Sequence, residues 1–393
     1  MTEIVIDKLV AGGEGLGFAD GKAVFVRGAL PGERVRVHLR QSRRDYERAE
    51  LGEILEASPF RVNPACALAG ICGGCDWMHM DYQEQLRRKV LIVEEALRRT
   101  GGLEAEGALA PGRLQIEPSP PLASRSRVQV HRDGAGRLGY MGARTQRVVP
   151  AARCPVAAPG VEDVLRGDRP APQDLDRFTV WSTGDVVAVE GLDDERDLSV
   201  IVGGRRILFS VGCFFQSNLL VLEKLLPWAL TDACAPGERA ADLYAGVGVF
   251  GAFLAANGAR VSCVESSTLS MGYARRNVQG EGHSFHPMSV ESWVVSGAAS
   301  AAAGAERGEQ RARGRFDFVV ADPPRPGLSP EVRAWLRISP PRRLAYVSCN
   351  PVTLARDLGD LVGGGYVLED LRLFDFYPQT SHVEAVARLR GPA

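Results

Sequence analysis

The sequence predicts an α/β protein whose C-terminal part is a doubly wound domain, preceded by two β-rich segments. Three observations predict it. From Arg239 onward, short apolar runs alternate with helical patterns, as strands and helices do in a mostly parallel sheet. The run Asp242-Leu243-Tyr244-Ala245-Gly246-Val247-Gly248-Val249-Phe250 ends one strand in a glycine turn and opens a helix, and Glu265 closes the next strand about twenty residues on. The apolar run Leu344 to Val347 stops at Ser348-Cys349-Asn350-Pro351, where proline lacks an N–H and ends the strand. One thiol therefore sits at the carboxyl end of a strand, where open α/β sheets hold their ligands. The competing reading of that thiol is a buried structural cysteine.

The elements follow in order. Residues 1–57 alternate apolar and polar positions, as in Ile4-Val5-Ile6, Ala23-Val24-Phe25-Val26 and Arg34-Val35-Arg36-Val37. Tight turns at Asp20-Gly21 and Pro31-Gly32 join these short strands, which predicts a small closed barrel. Cys66, Cys72 and Cys75 follow within one glycine-containing loop, close enough to face one centre. Cys154, in Arg153-Cys154-Pro155, is the best candidate for a fourth ligand. Four thiolates suit zinc or an iron–sulfur cluster, and the spacing does not choose between them.

Residues Tyr82 to Arg99 form an amphipathic helix with Leu86, Val90, Val93 and Leu97 on one stripe. Residues 114–209 read as strands and turns. Leu219 to Leu230 is an apolar helix. In the doubly wound part, strands are expected near 239–244, 260–265, 284–288, 316–321, 343–348, 366–376 and 382–389. Helices are expected near 248–257, 268–279, 330–338 and 352–362. The tract Ser296 to Gly314 is rich in Ala, Gly and Ser, then charged, and reads as a mobile surface insertion. The expected domains are 1–57, 58–210 and 211–393.

The 393 residues leave room for two or three domains with ample core. A formal net charge of -1 does not mark the whole chain as a nucleic-acid binder, but the charge is uneven. Seven Arg lie from Arg125 to Arg153 against the single acid Asp133, and six lie from Arg34 to Arg48 against Asp45 and Glu47. Two basic patches suit an anionic partner touched on one face. Residues 1–10 include Glu3 and Asp7 and lead into no apolar stretch, so no signal peptide is expected. No apolar run reaches spanning length, and no membrane partner is expected. The chain reads as cytoplasmic, with its eight Cys reduced, metal-bound or catalytic.

The glycine turn and Glu265 form a nucleotide-type site. Two glycines serve a dinucleotide poorly, and the same layout suits S-adenosylmethionine, which has no pyrophosphate. Asp322-Pro323-Pro324-Arg325 ends the fourth strand of the domain, at the rim where a methyl group would react. Amino-group methylation places an aromatic after such an Asp-Pro-Pro rim. Arg325 stands there instead, which argues against N-methylation and suits a carbonyl-rich or anionic substrate.

Gly15, Gly17, Pro31-Gly32-Glu33 and the arginine run resemble a TRAM domain, an OB-like RNA-binding barrel. Gln216, Gly246-Val247-Gly248, Asp322-Pro323-Pro324-Arg325, Ser348-Cys349-Asn350-Pro351 and Pro378-Gln379-Thr380-Ser381-His382-Val383-Glu384 occur in one order. With the barrel and the Cys loop, they resemble the RNA uracil-C5 methyltransferase family over nearly the whole chain. The resemblance implies a Rossmann-like methyltransferase domain behind the TRAM barrel and a β-rich central domain. It implies that Gln216, Tyr244, Gly246, Glu265 and Asp322 bind S-adenosylmethionine, that Cys349 is the nucleophile and that Glu384 is the base. The barrel and four cysteines resemble the branch acting on 23S rRNA, which implies a 4Fe-4S cluster on Cys66, Cys72, Cys75 and Cys154. A monomer is expected. Ser289 and Val249 depart from some members, which have Asn at those positions.

Uracil C5 is a poor nucleophile until C6 has been attacked. The chemistry therefore needs a thiolate, a methyl donor and a base for the C5 proton. The rivals are the same chemistry on transfer RNA, a DNA cytosine-C5 methyltransferase, and a non-catalytic RNA-binding metalloprotein. In the DNA enzymes the nucleophile follows a proline, whereas Pro351 comes two residues after Cys349.

Overall fold

The computed structural model describes residues 2–103, 107–110, 112–183, 185–302 and 315–392. Packing divides the chain into two units. Residues 1–92, 119–187 and 377–382 form the first, and residues 93–118, 188–376 and 383–393 form the second.

In the first unit, β1 (Thr2–Leu9), β2 (Gly15–Ala19), β3 (Lys22–Val26), β4 (Arg34–Ser42) and β5 (Tyr46–Glu56) close into a barrel in the order β1-β2-β3-β5-β4. Strand alternation sends Ile4, Ile6, Val24, Val26, Val35 and Val37 inward, and they form its core. Glu33, from the Pro-Gly-Glu turn, is fully buried and accepts from Leu30 N at 2.8 Å and from Arg61. Burial alone would raise this carboxyl; Arg61 and the backbone donors hold it below its usual range.

The barrel arginines are less free than their local count predicts. Arg34 pairs with Glu56, Arg36 with Glu3 and Glu53, Arg40 with Glu50, and Arg48 with Glu14. These acids come from neighbouring strands and loops, beyond the window in which the charges were counted. Arg43 and Arg44 lie at the exposed β4–β5 turn, where Arg44 stands 4.0 Å from Asp45.

The helix α1 (Tyr82–Arg99) has the expected bounds and is capped by Asp81, which accepts from Gln83 N at 2.9 Å. Next comes β6 (Gln115–Glu117), a strand of the second unit. The first unit resumes with β7 (Arg127–Arg132), β8 (Leu138–Met141), β9 (Val148–Pro150), α2 (Pro159–Arg166) and β10 (Arg177–Ser182). Its strands join in the order β10-β7-β8-β9, and each neighbouring pair is antiparallel. Helix α2 was not expected, although Pro159 at its start and Gly167 at its end are ordinary boundary signals. A short strand, β11 (Val187–Val189), follows.

The second unit opens with the hairpin β12 (Leu198–Val202) and β13 (Arg205–Phe209), then α3 (Leu219–Ala229). The alternating part supplies β14 (Arg239–Leu243), α4 (Val249–Ala256), β15 (Arg260–Val264), α5 (Thr268–Asn277), β16 (Ser284–His286), α6 (Val290–Val295), α7 (Ala298–Ala302), β17 (Phe318–Ala321), α8 (Pro330–Ile338), β18 (Arg343–Ser348), α9 (Pro351–Gly363), β19 (Val367–Phe374) and β20 (Glu384–Arg390). One eight-stranded sheet runs β16-β15-β14-β17-β18-β20-β19-β6. Strands β14 to β18 pair in parallel, while β20 is antiparallel to both β18 and β19. Its middle strands are buried runs such as Phe318–Ala321, as expected of a sheet covered on both faces.

All seven expected strands and four helices of this part exist, most with somewhat shorter ends, whereas β18 and α8 match and α9 is longer at both ends. The helices α6 and α7 were not expected. The start of the tract read as an insertion, 296–314, is therefore partly helical in α7, and its residues 303–314 lie outside the described residues. Among the described residues no helix is long and apolar enough to cross a membrane.

Candidate active site

The site is built at the carboxyl ends of the parallel strands. After β14 the chain turns through Tyr244, Gly246 and Gly248, all with positive φ, before α4 begins. At Gly248, φ is 79°, and a Cβ would lie 3.0 Å from Ala274 Cα, so this glycine lets the turn pack against α5. At Gly246 a Cβ would meet nothing within 4 Å, so open space lies beside the backbone there. Glu265, at the end of β15, accepts from Gly246 N at 3.0 Å and from Ser267 N at 2.6 Å. The acid expected to face a ribose thus also braces the glycine turn. Tyr244 holds a left-handed conformation, φ 61°, unusual for a bulky residue, and its hydroxyl donates to Glu291 at 3.0 Å.

Glu291 was missed in the sequence. It lies in the first turn of α6, whose cap Ser289 accepts from Ser292 N at 3.1 Å. That serine, a departure from the family pattern, has a local structural use.

Asp322 follows β17, and its Oδ2 accepts from Gln216 Nε2 at 3.4 Å. Desolvation pushes the Asp322 carboxyl up to about 7, against the lowering effect of Gln216. Asp242, fully enclosed at the end of β14, is likewise pushed to about 7 by burial, and its Oδ2 accepts from Gly251 N at 2.7 Å.

Strand register brings the last two residues together. Ser348 of β18 pairs with Ala385 of β20 across an antiparallel ladder, so the next positions outward are Cys349 and Glu384. Glu384 is buried, and its carboxyl is driven well above its usual range, first by burial and then by Asp322. Burial raises the Cys349 thiol to about 11; Glu384 and Asp322 add to the rise, and Arg325 opposes it. The carbonyl of Arg325 accepts from Asn350 Nδ2 at 3.2 Å, which ties the Asp-Pro-Pro-Arg loop to the cysteine turn. The structure therefore gathers one thiol and two desolvated carboxyls at three neighbouring strand ends, beside the glycine turn.

The four loop cysteines lie in the first unit. Burial raises the Cys75 thiol to about 12, and Cys154, Cys72 and Cys66 are close enough to raise it further. Arg125 pulls the other way on both Cys75 and Cys72. All four thiols are free of disulfides. Among the described residues, no three His, Cys, Asp or Glu side chains stand close enough to share a single metal ion.

A mostly parallel sheet with a glycine turn, an acid at the next strand end and reactive groups on the same rim defines a methyltransferase of the doubly wound class. Comparison narrows it. The family described as tRNA (uracil-5-)-methyltransferase matches residues 192–390, and the TRAM domain matches residues 2–51. A 23S rRNA (uracil(1939)-C(5))-methyltransferase RlmD of Pseudomonas fluorescens is 32% identical over 433 residues, covering 98% of this chain and 93% of the relative. An uncharacterised RNA methyltransferase of Treponema denticola is 31% identical over 399 residues, covering 94% of each. The crystal structure of the Pyrococcus abyssi tRNA (uracil-54, C5)-methyltransferase with S-adenosyl-L-homocysteine superposes with a TM-score of 0.70, covering 98% of this chain and 99% of that one. At 23% identity that likeness establishes the fold. The chain belongs to the RNA uracil-C5 methyltransferase family.

Proposed function

We propose that this protein methylates C5 of a uracil in RNA through a covalent bond between Cys349 and C6, and that its substrate is 23S rRNA. The observation that carries the proposal is the proximity of Cys349 and Glu384, each one position beyond the last β18–β20 pair, with Asp322 also acting on the thiol. A thiol and a base on one rim are what C5 methylation of uracil requires.

Gln216, Tyr244, Gly246, Glu265 and Asp322 are the residues proposed to hold S-adenosylmethionine. The open space at Gly246 and the acceptor on Glu265 fit an adenosine, and the Asp322 carboxylate suits a cationic ligand. When bound, the cofactor supplies the methyl group. Cys349 Sγ adds to C6, which makes C5 nucleophilic. After C5 carries the methyl, Glu384 takes the C5 proton and Cys349 leaves as thiolate. Both acids start with raised proton affinity, so a nearby cation that favours their charged form would ready Glu384 to act as a base.

Cys66, Cys72, Cys75 and Cys154 are proposed to hold a 4Fe-4S cluster. A single zinc needs every sulfur about 2.3 Å from one point, whereas a cluster spreads its four attachments over separate irons. Two buried donors beside these sulfurs, Tyr140 Oη and Arg125 Nε, have no oxygen or nitrogen partner, as suits an anionic sulfur group. The cluster's role is structural, and no catalytic step passes through it. The protein is read as a cytoplasmic monomer. The 23S rRNA assignment is supported by relatives carrying that name at about the same identity over nearly their full length.

Nucleoside mass spectrometry on RNA from a strain lacking this protein tests the proposal. A 5-methyluridine should vanish from one position of 23S rRNA. Its loss from transfer RNA instead would move the substrate, and no loss from any RNA would overturn the function.

A further inference from the structure

The first unit contains two buried donors with no oxygen or nitrogen to donate to. Tyr140, on β8, has a buried hydroxyl with no oxygen or nitrogen partner, and the Cys154 sulfur is the acceptor that bears on it. Arg125 has a buried Nε likewise without an oxygen or nitrogen partner, although its Nη2 reaches Pro378 O at 3.5 Å. Leaving such a group unpaired costs about 1–3 kcal/mol, so each calls for an explanation.

Both stand beside the four cysteines. Burial first, then the Cys154 and Cys72 sulfurs, hold the Tyr140 phenol well above its usual range. After burial, the Arg125 charge is the largest influence on Cys75, and it also acts on Cys72. Among the described residues Arg125 has no carboxylate within ion-pair distance, so this half-buried cation faces sulfur rather than an acid. A third donor already points at sulfur, since Gly74 N reaches Cys72 Sγ at 3.4 Å. The cysteine loop is anchored to the same strand: Gly73 N donates to Met141 O at 2.9 Å, one residue after Tyr140. With four neutral thiols, Arg125 would have no counter-charge and Tyr140 no acceptor of any strength. With four thiolates on a metal group, both needs are met.

We propose that Tyr140 and Arg125 are hydrogen-bond donors to the sulfurs of the four-cysteine site, and that they hold its metal group in place and set its reduction potential. The inference rests on the four-cysteine reading above. It adds two positioning residues that touch sulfur rather than metal. Donors aimed at cluster sulfur stabilise the more negative, reduced state, so losing one lowers the potential. Partners of metal-bound groups typically change metal affinity 10–100-fold when removed.

The test uses full-length protein purified without oxygen, as wild type, Tyr140→Phe, Arg125→Gln and Arg125→Lys. Metal content, visible absorbance, the rate of metal loss to a chelator and the midpoint potential are measured, with far-UV circular dichroism as the check on folding. Tyr140→Phe and Arg125→Gln should lose metal about tenfold faster or more, with a potential below wild type, and Arg125→Lys should recover part of the loss. If the wild type carries zinc, the rate of zinc release should show the same order. A variant too unstable to purify is replaced by its measurement in unfractionated anaerobic lysate by whole-cell Mössbauer or absorbance, where loss of signal at equal protein level is again expected. A loaded wild type whose Phe and Gln variants match it in release rate and potential overturns the donor proposal alone. A wild type free of any metal overturns the four-cysteine reading and this proposal with it.

Discussion

Cys349 and Glu384 lie one position beyond Ser348 and Ala385, the last paired residues of two antiparallel strands, and the Glu384 carboxyl is near enough to act on the Cys349 thiol. Cys349, the proposed nucleophile, directly follows β18, and Glu384, the proposed base, begins β20, so neither depends on a long loop for its position. Regular strands hold reacting groups more tightly than loops do.

The carboxyls at this rim fix an expected pH dependence. Burial pushes Asp322 up to about 7, and burial followed by the Asp322 charge holds Glu384 well above its usual range. A base acts unprotonated, so the acid limb of kcat/KM should lie above the ordinary glutamate range. In Asp322→Asn one negative charge is gone, and the acid limb of the residual activity should move to lower pH. A wild-type limb at about 4–5, the ordinary Glu range, would mean that neither carboxyl is the essential base.

The two glycines of the turn should separate in mutants. Gly248→Ala puts a methyl 3.0 Å from Ala274 Cα at φ 79°, so stability should fall by about 2–4 kcal/mol. Gly246→Ala meets nothing within 4 Å, so its cost in stability should be about 1 kcal/mol. Its methyl enters the space proposed for the ligand, and S-adenosylhomocysteine binding by calorimetry should weaken by more than tenfold. Equal losses of stability and binding in both variants would deny Gly246 a ligand.

RNA binding should depend on the arginines that lack acidic partners. Arg147, between β8 and β9, has no carboxylate partner among the described residues, whereas Arg36 is bonded to Glu3 and Glu53. Arg147→Gln should weaken RNA binding and reduce the slope of log K against log salt by about one. Arg36→Gln should leave that slope unchanged. The reverse order would place the RNA on the barrel strands.

Much of the fold was legible because its signals are local. Glycine turns, Asn350-Pro351 and apolar runs mark strand ends directly, and the order of motifs carried the site residues. The rest depended on pairing. Short helices such as α6 have too few turns for periodicity, so Glu291 and its bond to Tyr244 stayed hidden. Strand β6 joins the large sheet from far upstream, pairing Ile116 with Leu373, and three residues carry no pattern. The barrel arginines looked free because their acids, such as Glu3 and Glu56, lie outside the counted stretch.

The central claim is that Cys349 bonds to C6 and Glu384 releases that bond. The most direct measurement runs labelled RNA with wild type, Cys349→Ala and Glu384→Gln on a denaturing gel, with methyl incorporation scored beside it. Glu384→Gln keeps the shape of the side chain but removes the carboxylate, so it should transfer the methyl once and remain attached to RNA. Cys349→Ala should show neither adduct nor methylation. Methylation of uracil C5 by Cys349→Ala, or normal turnover without a persistent adduct by Glu384→Gln, would contradict the assignment.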